Sequence, residues 1–302
     1  MERAKTNLGV AAIIAAVCLI AALPIRVYQL LKVVEKDGSG FFISWSQPTI
    51  WILYGICAAL IIAMIILTAK GSKKTLYNSP QGKSAAIGVF AGLFSLSLIA
   101  DAIFQGMNAF GIISEKYVVS QLVGGDTFGQ SSVYFLSVEA VFAVLSAVYF
   151  GIMAIHYFTK SIDYRNQKIL AISPIIWLIA RLMLRFMKTV TYKYVSELML
   201  ELFMLIFAAL FFMAFIRLAA GVTVDGAQRK IFGYGLLAFF FCMLCSVPRY
   251  IVVILGDTSS FFSQGSVYNV CDLAMGMIIA ALMFGVMGEM QFKSVEEFAK
   301  SE

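Results

Sequence analysis

This 302-residue sequence carries little charge: Asp, Glu, Lys and Arg make up 13% of it, about half the share of a water-soluble domain. It has a single histidine, His156, and five prolines. One histidine excludes the usual zinc sites and most serine–histidine arrangements, so no metal site or cofactor is expected. With so little proline and no Ser/Pro-rich or charge-rich tract, nothing marks a linker or a disordered arm. The sequence contains no His-Glu-x-x-His, P-loop or Gly-x-Ser-x-Gly pattern, so no motif names a reaction and no enzyme activity is expected. The five cysteines, Cys18, Cys57, Cys242, Cys245 and Cys271, fall in or beside apolar runs and form no disulfide framework. Cys242 and Cys245 make a C-x-x-C in mid-run, where thiol exchange lacks both thiolate character and access; core filling is their expected role.

What remains is strongly apolar, with 61% hydrophobic residues and a mean hydropathy of +0.89. About 20 apolar residues at 1.5 Å rise cross the roughly 30 Å hydrocarbon layer of a membrane. Eight segments meet that length: 7–32, 48–69, 84–109, 131–158, 168–190, 195–217, 230–255 and 267–288. The expectation is an all-α, polytopic membrane helix bundle of about eight transmembrane helices. It forms one transmembrane domain over 1–302, with the lipid bilayer around it and no soluble domain. The first segment continues past Pro24 with no polar start after a small-residue site, so cleavage as a signal peptide is not expected.

The net charge of +6 would suit nucleic acid, but its distribution does not. Lysines and arginines sit in short connections beside apolar runs, where they set orientation and meet anionic lipid. Threading eight helices puts fourteen of them on the side of both termini. The opposite side holds Lys32, Lys36, Lys116, Lys188 and Lys193. The excess marks the cytoplasmic side, so both ends are expected in the cytoplasm of a multi-pass cell-membrane protein, with no nucleic-acid partner. The longest outer connection, about 110–130, is glycine-rich and would serve as a lid or as a plain link.

The same threading orders the charges by depth. Arg26, Asp101, Arg181, Arg185 and Arg249 lie late in odd segments, and Glu139, Glu197, Glu201 and Asp272 lie early in even ones. All are thereby gathered in the outer half of the bundle. Charges at such depth cost free energy and usually face the protein interior. Arg181 and Arg185 are one turn apart, as are Glu197 and Glu201, which suggests a ladder across the fifth-to-sixth hairpin: Arg185 to Glu197 and Arg181 to Glu201. These four are the structural ion-pair candidates.

A second arrangement is the polar stripe Ser97, Asp101, Gln105 and Asn108, whose spacing keeps all four on one helix face. Ligand-binding candidates are Asp101, Gln105, Asn108, Glu139, Arg26, Arg249, Asn269 and Asp272. Leu98-Ile99-Ala100-Asp101 parallels Leu178-Ile179-Ala180-Arg181, with Val247-Pro248-Arg249 at similar depth, and Glu139, Glu201 and Asp272 each precede a pair of small residues. This pattern fits helical hairpins repeated in parallel.

Three functions follow from these features. One is binding and transport of a small polar or charged solute at the outward-facing cluster, whose mixed signs suit a zwitterion. Another is a receptor or accessory subunit that takes a ligand or membrane partner protein outside. The third is a structural or assembly protein in which ion pairs lock the bundle.

Overall fold

The computed structural model describes residues 2–34, 42–43, 47–69, 84–113, 133–160, 163–187, 197–220, 227–256 and 266–299, without the side chains at several helix ends. Eight α-helices occur among the described residues: α1 Glu2–Lys32, α2 Pro48–Ala69, α3 Ala85–Ile113, α4 Val133–Thr159, α5 Ser173–Met187, α6 Glu197–Ala219, α7 Ala227–Ile254 and α8 Ser266–Ala299. Seven of them, all but α5, are long and apolar enough to cross a membrane. Most of the glycine-rich 110–130 connection lies outside the described residues.

Helix ends follow local chemistry. The fifth segment, expected to turn helical at 168, does so only at Ser173, after short 3-10 turns at Tyr164–Asn166 and Leu170–Ile172. Pro174 explains the delay, since it has no N–H to donate and is best tolerated in the first turn. Ser173 Oγ donates to the Leu170 carbonyl at 2.7 Å and joins the two pieces. At its far end α7 closes on Gly256, whose φ of +94° is the left-handed conformation that glycine adopts without strain. The last helix runs past its expected end at 288 to Ala299.

The packing of these helices is a closed ring. α3 packs on α4, α4 on α5, α5 on α6, α6 on α7, α7 on α8, and α8 returns to α3. α1 and α2 pack on each other and on α7. They are the least buried of the seven long helices, and α7 is the most buried. Exposed Ile13, Val17, Ile20, Ile62, Ile65 and Ile66 cover α1 and α2, apolar surface of the kind that lipid solvates. α5 is sharply two-faced, with Trp177, Arg181, Leu184 and Arg185 buried while Ile179, Met183 and Phe186 are exposed.

Inside the ring lies an aromatic tier. Phe94 of α3 meets Phe150 of α4 edge-on at 4.7 Å and Phe212 of α6 in parallel at 6.4 Å. Trp177 of α5 stands edge-on to Phe94 at 6.0 Å. Each such pair contributes about 0.5–1.5 kcal/mol beyond the area it buries. Where α7 and α8 cross, Gly276 lets the backbones close: a Cβ there would lie 2.8 Å from Met243 Cε and 2.9 Å from Cys242 Cβ.

Gly276→Leu is therefore expected to lower stability by about 1–3 kcal/mol through overpacking. Gly55 of α2 faces open space, so Gly55→Ala is expected to be neutral or to stabilise by up to about 1 kcal/mol. Unfolding of the two purified variants in detergent, compared with the parent chain, checks both.

Candidate functional site

A polar tier lies on one side of the aromatic one, and every ring helix contributes a charge to it. The charged contributors are Asp101 (α3), Glu139 (α4), Arg181 and Arg185 (α5), Glu201 (α6), Arg249 (α7) and Asp272 (α8), each at most 4% exposed. Asp101 stands seven residues beyond Phe94 on α3, about 10 Å along the axis at 1.5 Å per residue.

Most of these groups are tied to a neighbour. Glu201 lies between two arginines, with Oε2 3.2 Å from Arg185 Nε and Oε1 2.7 Å from Arg249 Nη2. Arg249 Nη1 also donates to Asn269 Oδ1. Arg181 Nη1 lies 2.7 Å from Asp272 Oδ1, an ion pair by distance whose angles fall short of an aligned hydrogen bond. Asp101 accepts from Trp177 Nε1 at 2.9 Å and from Gln105 Nε2 at 3.3 Å. Gln105 also donates to the Tyr268 hydroxyl. The Tyr268 ring carries the guanidinium of Arg181 at 4.5 Å and that of Arg185 at 5.0 Å from its centroid, contacts worth about 2 kcal/mol or more when desolvated.

Among the described residues, Glu139 is the acid of the tier with neither an ion pair nor a hydrogen bond. It is fully buried, yet neither Oε1 nor Oε2 has a hydrogen-bond partner among the described residues. The charges whose fields reach it are Asp101, Arg181 and Arg185. Arg181 Nε, likewise buried, has no hydrogen-bond partner there either. A buried polar group without a partner costs about 1–3 kcal/mol, and more if charged. Natural structures hold few of them, and those few call for an explanation.

The other candidates from the sequence fall as follows. Asn269 and Asp272 join the tier from α8, and Asn108 sits at its edge, 3.5 Å from Gln105 Oε1. Arg26 belongs to a different contact: its Nη1 donates to Gln29 Oε1 at 3.2 Å, and Gln29 donates to the Thr49 carbonyl, tying α1 to the start of α2. The expected hairpin ladder is redrawn. Arg185 meets Glu201, and Arg181 turns across the ring to Asp272 instead of Glu201; the Glu197 side chain lies outside the described residues. The ladder considered one hairpin alone, whereas a closed ring brings α8 against α5 as well.

Trp177 and Tyr268 were missed by the sequence reading. Each stands one turn before a charge already singled out, Arg181 and Asp272, so extending those helix faces by four residues would have found them. His156 packs between Tyr157 and Tyr164, with ring centroids 5.4 and 5.1 Å away. Cys242 and Cys245 are buried in the core. Among the described residues no three of His, Cys, Asp or Glu gather as a metal-ligand set. No protein-family model, curated protein or solved structure matches this chain.

Breaking one partner of a buried ion pair costs about 3–5 kcal/mol, so Asp272→Asn is expected to destabilise the bundle by an amount in that range. Exchanging Arg181 with Asp272 should recover more of the loss than exchanging Arg181 with Glu201. Thermal unfolding of the single and exchanged variants measures the difference.

Proposed function

We propose that this chain spans the membrane eight times, with both termini in the cytoplasm, and binds and transports a small polar or charged solute at its polar tier. The observation that carries the reading is that all six ring helices bring a charge to one buried level while the Glu139 carboxyl, among the described residues, is left without a partner. A bundle needing only to be locked would be expected to saturate its charges.

Direction of travel supports eight crossings. The tier is reached late in α3, α5 and α7 and early in α4, α6 and α8, as antiparallel neighbours require. α5 alone, 15 residues long, extends about 22 Å, and the 3-10 turn before it lengthens the path. The excess of Lys and Arg beside the termini then puts the polar tier in the outer half of the membrane and the aromatic tier beneath it. On the same reading α3–α4, α5–α6 and α7–α8 are three copies of one hairpin. In each, an acid stands early in the second helix: Glu139, Glu201 and Asp272. The matching position of the first helix holds a base in two copies, Arg181 and Arg249, and Asp101 in the third.

The aromatic tier favours a second reading, a receptor or accessory subunit that takes its ligand or partner from outside and passes no solute. Phe94, Phe150 and Phe212 are at most 1% exposed, and a solute crossing the bundle has to part them. Two measurements separate the readings. In proteoliposomes screened for uptake of small charged and polar solutes, Asp101→Asn is expected to cut uptake about tenfold, the loss of a charge-assisted hydrogen bond, with normal membrane yield. A cysteine at Gln105 is expected to react with impermeant thiol reagents from both sides in the presence of transported solute. Reaction from outside only hands the case to the receptor. Asp101→Asn and Glu139→Gln variants that do nothing but lower folded yield would leave a structural role.

A further inference from the structure

Comparing the acids on α4, α6 and α8 shows what is particular to Glu139. Glu201 has Arg185 and Arg249 within 3.2 Å, and Asp272 has Arg181 at 2.7 Å. Glu139 stands at the corresponding place, early in α4, but the preceding helix offers Asp101 where the other hairpins offer arginine. Asp101 is already occupied by donors from Trp177 and Gln105. Thus one hairpin brings two fully buried acids and no base to the tier, and the acid without donors among the described residues is the one on α4.

A complementary group lies opposite. Arg181 of α5 spends Nη1 on Asp272 and its π-face on Tyr268, while Nε, buried, meets no acceptor among the described residues. Glu139 and Arg181 are both buried on helices that pack against each other but form no ion pair within 4 Å among the described residues. Opposite charges on adjacent helices, in a medium where contact would be strongly favourable, are held apart. A single occupant satisfies both: a positive donor toward the Glu139 carboxylate and a negative acceptor toward Arg181 Nε. A lone cation would be repelled by Arg181 and Arg185, and a lone anion by Asp101 and Glu139.

Resting on the solute-binding reading above, we propose that Glu139 and Arg181 Nε are the two ends of a site for a small zwitterion, an ammonium group on the first and a carboxylate or phosphate on the second. The Tyr268 ring borders the Arg181 end of that site, and its hydroxyl is held by Gln105. The same ammonium–anion chemistry is offered by a free amino-acid-like solute and by a phosphatidylethanolamine headgroup.

The test uses the full chain purified in detergent, with thermal unfolding and calorimetric titration as readouts. The probes are glycine, methylammonium, acetate and a neutral sugar, with phosphatidylethanolamine in mixed micelles as a separate arm. Glycine is expected to stabilise the parent chain at concentrations at least about tenfold below methylammonium or acetate, because only it completes both contacts. Glu139→Gln should weaken glycine about tenfold or more and leave the acetate response as it was. Arg181→Lys keeps a positive charge for Asp272 but has no Nε–H in that position, and should weaken glycine and acetate alike.

Stabilisation by phosphatidylethanolamine in place of glycine, with the same dependence on Glu139, supports the site and assigns the headgroup as its source. If acetate or methylammonium alone matches glycine, or Glu139→Gln binds glycine as the parent does, the zwitterion site is wrong while solute binding stands. If no probe of any class binds, the solute-binding reading fails and this inference with it. Because Glu139 has no partner among the described residues, Glu139→Gln is expected to fold at least as well as the parent. A variant that does not fold would show a structural contact and overturn the proposal.

Discussion

A charge buried between helices persists only where opposite charge or a hydrogen bond meets it, and Glu201 meets two arginines at once. Its carboxylate joins Arg185 of α5 to Arg249 of α7, so three consecutive ring helices are held by one side chain of the middle helix. Arg249 extends the chain to Asn269 of α8, and α8 returns to α5 through Asp272 and Arg181. Four helices are thereby closed into a circuit by ion pairs and one charge-assisted hydrogen bond to the Asn269 amide. The remaining two join it differently: α3 through neutral donors to Asp101, α4 through Glu139, which is only within reach of fields. Among the described residues the polar tier therefore has a side joined by ion pairs and a side without them, and the boundary between them runs along α5.

Trp177 and Tyr268 are where that boundary is made. Trp177 spends its indole N–H on Asp101 and its ring edge on Phe94, so the position of the Asp101 carboxylate and the packing of the aromatic tier are set by one rigid side chain. Tyr268 holds two guanidinium groups over its ring and takes a hydrogen bond from Gln105 at its hydroxyl. Moving the Asp101 carboxylate therefore means moving Trp177, and moving Trp177 disturbs Phe94. That linkage, through close-packed rings that do not deform continuously, ties the position of the Asp101 carboxylate to the packing of the aromatic tier.

How much of this could be read from the sequence depended on which physical signal each feature obeys. Helices follow length and apolarity, which are local, and all eight segments recur as helices within a few residues at most ends. The exceptions have local causes too, such as the proline that delays α5 to Ser173. A shared level along the helices was also accessible: ordering charges by position along alternating helices gathered Arg26, Asp101, Glu139, Arg181, Arg185, Glu197, Glu201, Arg249 and Asp272, and the described ring residues among them meet in one tier. Partnership was not. Arg181 was matched to Glu201 because the hairpin puts them at equal height, yet height is a single coordinate, and which of several acids at that height lies nearest depends on ring order. Arg26 shares the late position but sits on α1, which packs on α7 and α2 and not in the ring, so position along a helix misled in its case.

The same limit explains why the unpaired carboxyl was hidden among paired ones. In the sequence, Glu139, Glu201 and Asp272 are equivalent acids, each early in its helix and followed by small residues. Only the ring shows that arginines supplied by α5 and α7 serve two of them, leaving the third beside an aspartate. Among the described residues the tier holds four acids and three arginines, and two of those arginines go to Glu201. Asp101 finds partners because neutral donors, Trp177 and Gln105, are within reach on α5 and α3. Glu139 does not, because the neighbours of α4 in the ring are α3 and α5, where Gln105 and Trp177 serve Asp101, Arg181 Nη1 serves Asp272 and Arg185 serves Glu201, while Arg181 Nε reaches no acceptor among the described residues. The uncompensated acid is thus a consequence of ring order acting on charge count, and it marks the α3–α4–α5 side as the part of the tier that the bundle's own side chains leave incomplete.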